Sequence, residues 1–128
     1  MIFHIHTIPT IWDANFEFSL DKLIDYVSSY GIDAIAITNH NCFDVNQFQV
    51  IKDALRGKTD VFPGIEVTIA PNNGHLLIIS DNNNIDGFCA GCNMIKENIK
   101  ELHDNISIQD VEKAFENFSK YLLIPHFD

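Results

Sequence analysis

The run Asp33 to Thr38, Asp-Ala-Ile-Ala-Ile-Thr, constrains the fold more than any other stretch of the chain. It is short and apolar with no polar side, as expected of a strand buried on both faces of a parallel sheet. Elements that could build such a sheet alternate along the rest of the sequence.

Residues Ile2 to His6 alternate with the period of a strand, so His4 and His6 share one face. A loop containing Pro9 and Asp13 follows. Ser19 is then placed as the N-cap of a helix whose apolar stripe is Leu20, Leu23, Ile24 and Val27, and Gly31 stops it. Asn39, His40 and Asn41 fall just past the end of the buried strand. Val45 to Leu55 has helical spacing, closed by Arg56-Gly57-Lys58. Extended character resumes over Val61 to Val67 with an interruption at Pro63-Gly64, and Asn72-Asn73-Gly74 turns the chain into a strand at His75 to Ser80. Asp81 to Cys92 reads as a loop with one helical turn near Phe88, followed by a helix over Met94 to Leu102. Ser107 caps a further helix with Val111, Ala114, Phe115 and Phe118 on its apolar side. Tyr121 to Pro125 is a last buried strand, with His126 at its exit.

Strands alternating with helices predict an α/β fold with a mainly parallel sheet, open or closed into a barrel. The chemistry of such folds collects at the C-terminal ends of the strands. His4, His6, His40, Glu66 and His126 all fall there.

At 128 residues, 46% of them hydrophobic, the chain has the size of one domain with a real core. A formal charge of −10 supplies no net pull towards a nucleic-acid backbone or an anionic membrane, although bound divalent ions would offset negative charge locally. The sequence has no apolar run of the ~20 residues needed to span a bilayer, and its N-terminus lacks the basic region and long apolar run of a signal peptide. The expected location is the cytoplasm, with no membrane partner. Cys42, Cys89 and Cys92 are an odd number, and no second CxxC accompanies Cys89 to Cys92, so these read as ordinary reduced thiols, the pair on a loop.

Two histidines at i and i+2 on a strand can grip one cation, with each imidazole nitrogen about 2.0–2.1 Å from a zinc ion. A lone HxH is more often incidental, so the weight rests on the other positions. Glu66, after Pro63-Gly64-Ile65, could bridge two cations held roughly 3.5–4 Å apart, or could be an exposed acid at a strand end. Trp12, in the loop beside the histidines, is a candidate to line a substrate pocket. His103 reads as a surface residue near a helix C-terminus, and Asp44 and Asp128 as structural acids near the rim.

The ordered segments Phe-His-Ile-His-Thr, Gly-Ile-Asp-Ala-Ile-Ala-Ile-Thr-Asn-His-Asn, Pro-Gly-Ile-Glu-Val, Gly-His-Leu-Leu-Ile-Ile and Leu-Ile-Pro-His-Phe resemble the successive motifs of the PHP (polymerase and histidinol phosphatase) family. The similarity runs through nearly the whole chain, residues 1–128. It implies a distorted (β/α)7 barrel binding up to three divalent metals, commonly zinc, manganese or iron, and metal-dependent hydrolysis of phosphate esters. Carried over by motif, His4 and His6 would hold the first metal. Glu66 would bridge to a second, also held by His75 and His126, and His40 would serve a third with Asp13 as its companion ligand. His40 and Glu66 are the residues placed closest to the reaction.

Two departures from the family pattern matter. The usual Thr-Asp-His is Thr-Asn39-His40 here; an amide acting behind a ligand would keep its orientation and lower its basicity. The sequence also stops at Asp128, before the final D-x-H motif. With about 30 residues per β/α unit, it carries roughly half to two-thirds of the barrel. The expectation is therefore a partial barrel, the N-terminal module of a longer protein, completed by C-terminal domains or by a partner chain. The substrate would be a phosphate ester, with nucleotides and nucleic acid among the possibilities. The alternative is a non-catalytic metal-binding or scaffolding module of a nucleic-acid-associated or ATPase-linked protein.

Overall fold

The computed structural model describes residues 1–126. In chain order the elements are β1 (Ile2–Ile5), α1 (Leu20–Ser29), β2 (Ala34–His40), α2 (Val45–Ala54), β3 (Asp60–Ile69), β4 (Gly74–Ser80), α3 (Ile85–Asn98), α4 (Ile108–Ala114) and β5 (Tyr121–His126). The strands form one sheet in the order β1-β2-β3-β4-β5, curled through 196° into a half-barrel. The α/β, partial-barrel expectation holds.

The mainly parallel expectation is corrected. β1, β2 and β3 run parallel, but β4 is antiparallel to both β3 and β5. Only residues 70–73 separate β3 from β4, too few for the crossover that a parallel pair requires. The second reversal comes from two helices in series. Ser80, at the end of β4, pairs with Tyr121 at the start of β5, so α3 and α4 together return the chain to the edge it left.

Local chemistry explains the elements. The Ser19 side chain accepts a hydrogen bond from the Lys22 amide to cap α1, and Gly31 beyond its end has φ +60°. Leu23 and Val27 of α1 and Phe48 and Ile51 of α2 pack with Ile35, Ile37 and Val61 on the outer face of the sheet. Phe88, Cys92 and Ile95 of α3 and Val111 of α4 cover Ile65, Val67, Leu76 and Ile78 in the same way. Glu66 and His75 alternate with these residues along β3 and β4 and so point to the opposite, concave face.

Several predicted boundaries shift. Asn39 and His40 belong to β2, paired with Ile65 and Glu66, rather than lying past its end. Pro63-Gly64 does not interrupt β3: Pro63 precedes the first β3–β4 pair, Gly64 with Ile79, so that ladder does not call on its missing N–H. A Cβ on Gly64 would sit 2.8 Å from Thr38 Cγ2 and 2.9 Å from the Ile37 carbonyl oxygen, so β2 and β3 approach closely only because this residue is glycine. β5 is an edge strand rather than a fully buried one, and Leu122 on it is 49% exposed.

The largest correction is α3, which runs through most of the predicted loop and stops before Leu102. Its buried residues Phe88, Cys92 and Ile95 recur at helical spacing. Cys89 and Cys92 are therefore helical, and burial pushes both thiols above their ordinary pKa. Gly91 marks a contact rather than a bend, since a Cβ there would lie 2.4 Å from Phe115 Cε1. Gly91→Ala should thus destabilise the fold. Overpacking of this kind costs about 1–3 kcal/mol and outweighs the ~1 kcal/mol gained in helix propensity. Urea denaturation should show a lower midpoint than wild type.

Candidate metal centre

The parallel strands bring their C-terminal ends to one rim of the half-barrel, and antiparallel β4 contributes its N-terminal end there. His6 lies just beyond β1, His40 closes β2 opposite Glu66 of β3, and His75 of β4 pairs with both Thr68 and His126. The register of β1 against β2 slips between Ile2 and Ile5. At the slip the Thr38 hydroxyl takes over from the regular ladder, accepting from the Ile5 N–H (3.2 Å) and donating to the Phe3 carbonyl (3.2 Å). One threonine thereby fixes the backbone on both sides of His4.

Glu66 is the centre of the arrangement and is 1% exposed. Its Oε1 lies 2.9 Å from His4 Nε2, 3.0 Å from His6 Nε2 and 3.3 Å from His40 Nε2. His4 and His6 meet Nε2 to Nε2 at 3.0 Å. His75 Nδ1 stands 3.5 Å from Glu66 Oε2, and the His75 and His126 rings stack at 6.4 Å between centroids. Burial alone would raise the Glu66 pKa, but hydrogen bonds from His6 and His4 and the charge of His40 outweigh it and bring the group down to about 2. The carboxyl is therefore an anion at neutral pH. Burial lowers the pKa of His40, whereas His6 is raised because Glu66 and Asp13 overcome its desolvation.

Hydrogen bonding among these groups is lopsided in a way that fits cations. Three imidazole nitrogens crowd one oxygen of Glu66, while Oε2, equally buried, accepts no hydrogen bond among the described residues; His40 Nδ1 is also without a partner there. The ligand atoms of His4, Glu66 and His126 all lie within 4.8 Å of one another, as do those of His6, His40 and Glu66. Both sets contain Glu66, which puts its carboxylate where a bridge between two ions would stand. These sets join His4 to His126 and His6 to His40, whereas the resemblance pairs His4 with His6 and His126 with His75. An imidazole and carboxylate donor set of this kind suits zinc, manganese or iron.

Asp13 reaches the centre despite its long loop. The Thr10 amide (3.0 Å) and hydroxyl (2.6 Å) both donate to its Oδ2, turning Oδ1 towards His6 Nδ1 at 2.9 Å and His40 Nε2 at 3.5 Å. Placed behind His6, it orients that ring with Nε2 towards Glu66, as carboxylates behind metal-binding imidazoles do.

Asn39 has a different task from the one anticipated. It is 2% exposed and none of its hydrogen bonds goes to an imidazole. Its Oδ1 accepts from the N–H groups of Thr7 (2.7 Å) and Ile8 (2.9 Å), and its Nδ2 donates to Thr7 Oγ1 (3.0 Å). Gln47 completes the network by accepting from the Thr7 hydroxyl and donating to the Thr7 carbonyl. Asn39 thus anchors the backbone that leaves His6, and among the described residues its hydrogen bonds go to Thr7 and Ile8 rather than to a ligand imidazole. Thr7, Thr38 and Gln47 were missed in the sequence. Thr7 stands beside the HxH and Thr38 opens the Thr-Asn-His segment, whereas nothing marks Gln47.

The remaining candidates lie elsewhere. Asp44 caps α2 by accepting from the Gln47 amide, His103 is exposed in the turn after α3, and Asp128 is outside the described residues.

Compared with known protein families, residues 3–124 match the PHP domain, nearly the whole chain. No curated protein matches the sequence.

The two roles of the Asn39 amide can be separated. Asn39→Ala leaves the Thr7 and Ile8 amides without their acceptor, at about 1–3 kcal/mol for each such buried group. Asn39→Asp keeps both acceptor bonds. Because a carboxylate cannot donate to Thr7 Oγ1 as the amide does, chemical denaturation should show the alanine variant destabilised by about 2 kcal/mol or more and the aspartate variant destabilised less than the alanine variant.

Proposed function

This chain belongs to the PHP domain family, a family generally of metal-dependent phosphoesterases, and on that premise we propose that it hydrolyses phosphate esters at the Glu66 rim, as part of a longer protein. One observation carries the reading: an ionised, fully buried carboxylate is enclosed by imidazoles on the open end of a curled sheet. His4, His6, His40, Glu66, His75 and His126 would hold divalent cations, with Asp13 orienting His6 and approaching His40. The bound ions supply positive charge against the phosphoryl oxygens and make a water molecule acidic enough to attack near neutral pH.

The protein's own contribution is orientation and the charge state of its ligands. Asn39 and Thr38 hold the backbone around His4 and His6, so the imidazoles meet Glu66 without reorganising. Burial favours the neutral form of His40, whose Nε2 faces the rim. The neutral ring is the form that can hold a cation through that nitrogen. Glu66 stays an anion throughout.

A second reading, a metal-binding scaffold without turnover, draws support from the 196° curl of the sheet, which encloses only part of a rim. No helix among the described residues is long and apolar enough to cross a membrane, and a cytoplasmic location remains our proposal. Elemental analysis together with hydrolysis of a chromogenic phosphodiester separates the two readings. The enzyme reading expects bound zinc, manganese or iron and metal-dependent turnover, and bound metal with no turnover in a longer chain carrying the D-x-H motif favours the scaffold. Combined His4→Ala and His6→Ala substitutions should deplete the metal, and an unchanged content would remove both residues from the site.

A further inference from the structure

β2 ends at His40, yet the edge of β3 that it covers stays hydrogen-bonded beyond that point. The Asn41 N–H donates to the Glu66 carbonyl at 2.8 Å, as the next residue of a parallel strand would. The return bond of that rung comes from the Thr68 N–H, and in a regular ladder it would end on the Asn41 carbonyl. Here it ends on the side chain, at Asn41 Oδ1 (2.9 Å). The chain has already turned away, since Asn41 has φ +55°, in the left-handed region that asparagine tolerates better than most residues. Its Nδ2 donates to Thr68 Oγ1 at 3.0 Å, so the amide is held at both ends. Beyond it Ile106 takes over the edge, donating to the Thr68 carbonyl (3.1 Å) and accepting from the Ala70 N–H (2.8 Å).

This splice sits among the ligand candidates. Asn41 follows His40 in the chain, its N–H holds the Glu66 carbonyl, and its side chain holds Thr68, which pairs with His75 across β3 and β4. Asn41 and Thr68 are 3% and 4% exposed, so water replaces neither bond unless the rim opens. An asparagine that only shapes a turn bonds its own backbone a residue or two away. Asn41 instead directs both polar atoms of its side chain to the neighbouring strand.

We propose that Asn41 is a positioning residue of the metal centre: by standing in for its own carbonyl in the β2–β3 ladder, it lets the chain leave the sheet directly after His40 while holding that imidazole against Glu66. Without the side chain the end of β2 opens, and His40 departs from the set it forms with His6 and Glu66. Apparent affinity for an ion then falls with the fraction of molecules in which the set is assembled. His4 and His126 reach Glu66 from β1 and β5 and do not depend on this rung. The inference rests on the metal-binding part of the proposed function and is independent of the reaction catalysed there.

Zinc titration of the full chain, followed through the ring NMR signals of the individual histidines, tests this without any catalytic readout. Asn41→Gly keeps the left-handed backbone and removes the amide. His6 and His40 should then saturate at zinc concentrations at least tenfold higher than in the unaltered chain, while His4 and His126 stay within threefold. Asn41→Asp retains an acceptor for the Thr68 N–H, and the Thr68 hydroxyl can turn to donate to it, so His6 and His40 should return to within threefold. In chelator, the Thr68 amide proton should exchange at least tenfold faster in Asn41→Gly and stay protected in Asn41→Asp. Thr68→Val, which removes only the hydroxyl partner of Asn41 Nδ2, should shift the same two rings by about two- to fivefold and serves where Asn41→Gly does not fold. An equal shift of all four rings in a folded variant, unchanged saturation of His6 and His40, or unchanged Thr68 exchange would overturn the proposal. Rings untouched by zinc in the unaltered chain would instead refute the metal centre itself, and this role with it.

Discussion

A carboxylate removed from water in the middle of a sheet is the constraint around which this molecule is organised. Glu66 is 1% exposed, and an isolated ionised acid at that depth would be neutralised by protonation. It remains an anion because imidazoles from β1, β2 and the segment after β1 converge on it. The geometry of the neighbouring elements serves that convergence. Gly64 lets β2 and β3 close up beside Glu66, Thr38 ties down the slipped first strand, and Asn39 collects the backbone leaving His6.

The topology turns a sequence of separate motifs into one rim. In an all-parallel sheet every ligand would arrive at a strand's C-terminal end. Here the four-residue link between β3 and β4 reverses the chain, so His75 enters at the beginning of its strand and still stands opposite Thr68 and His126. A second reversal by α3 and α4 restores the original direction for β5. Residues that reach the rim from opposite chain directions therefore share one site.

This division explains what could be read from the residues alone. Short apolar runs such as Asp33 to Thr38, the caps Ser19 and Ser107, and the alternation placing His4 and His6 on one face are local signals, and local physics decides them. Strand direction is different, because it depends on where an entire connection packs. α3 was obscured because Gly87 and Gly91 resemble loop punctuation, whereas Gly91 is small so that Phe115 can lie against the helix. Asn39 was recognisable as a departure from the family pattern, but its partners Thr7 and Gln47 become neighbours only when β1 and α2 flank β2. Networks built across elements leave little trace in the order of residues.

The slipped register of β1 has a dynamic consequence. This four-residue strand lies on an edge of the sheet and carries His4, with His6 immediately beyond it. Short edge segments are the first parts of a protein to open locally, with a free energy well below that of global unfolding. Any cation that binds only the closed arrangement draws this segment shut by mass action. Were an ion held there, its uptake and the ordering of the N-terminal edge would be one coupled equilibrium, with occupancy setting how often the first strand detaches.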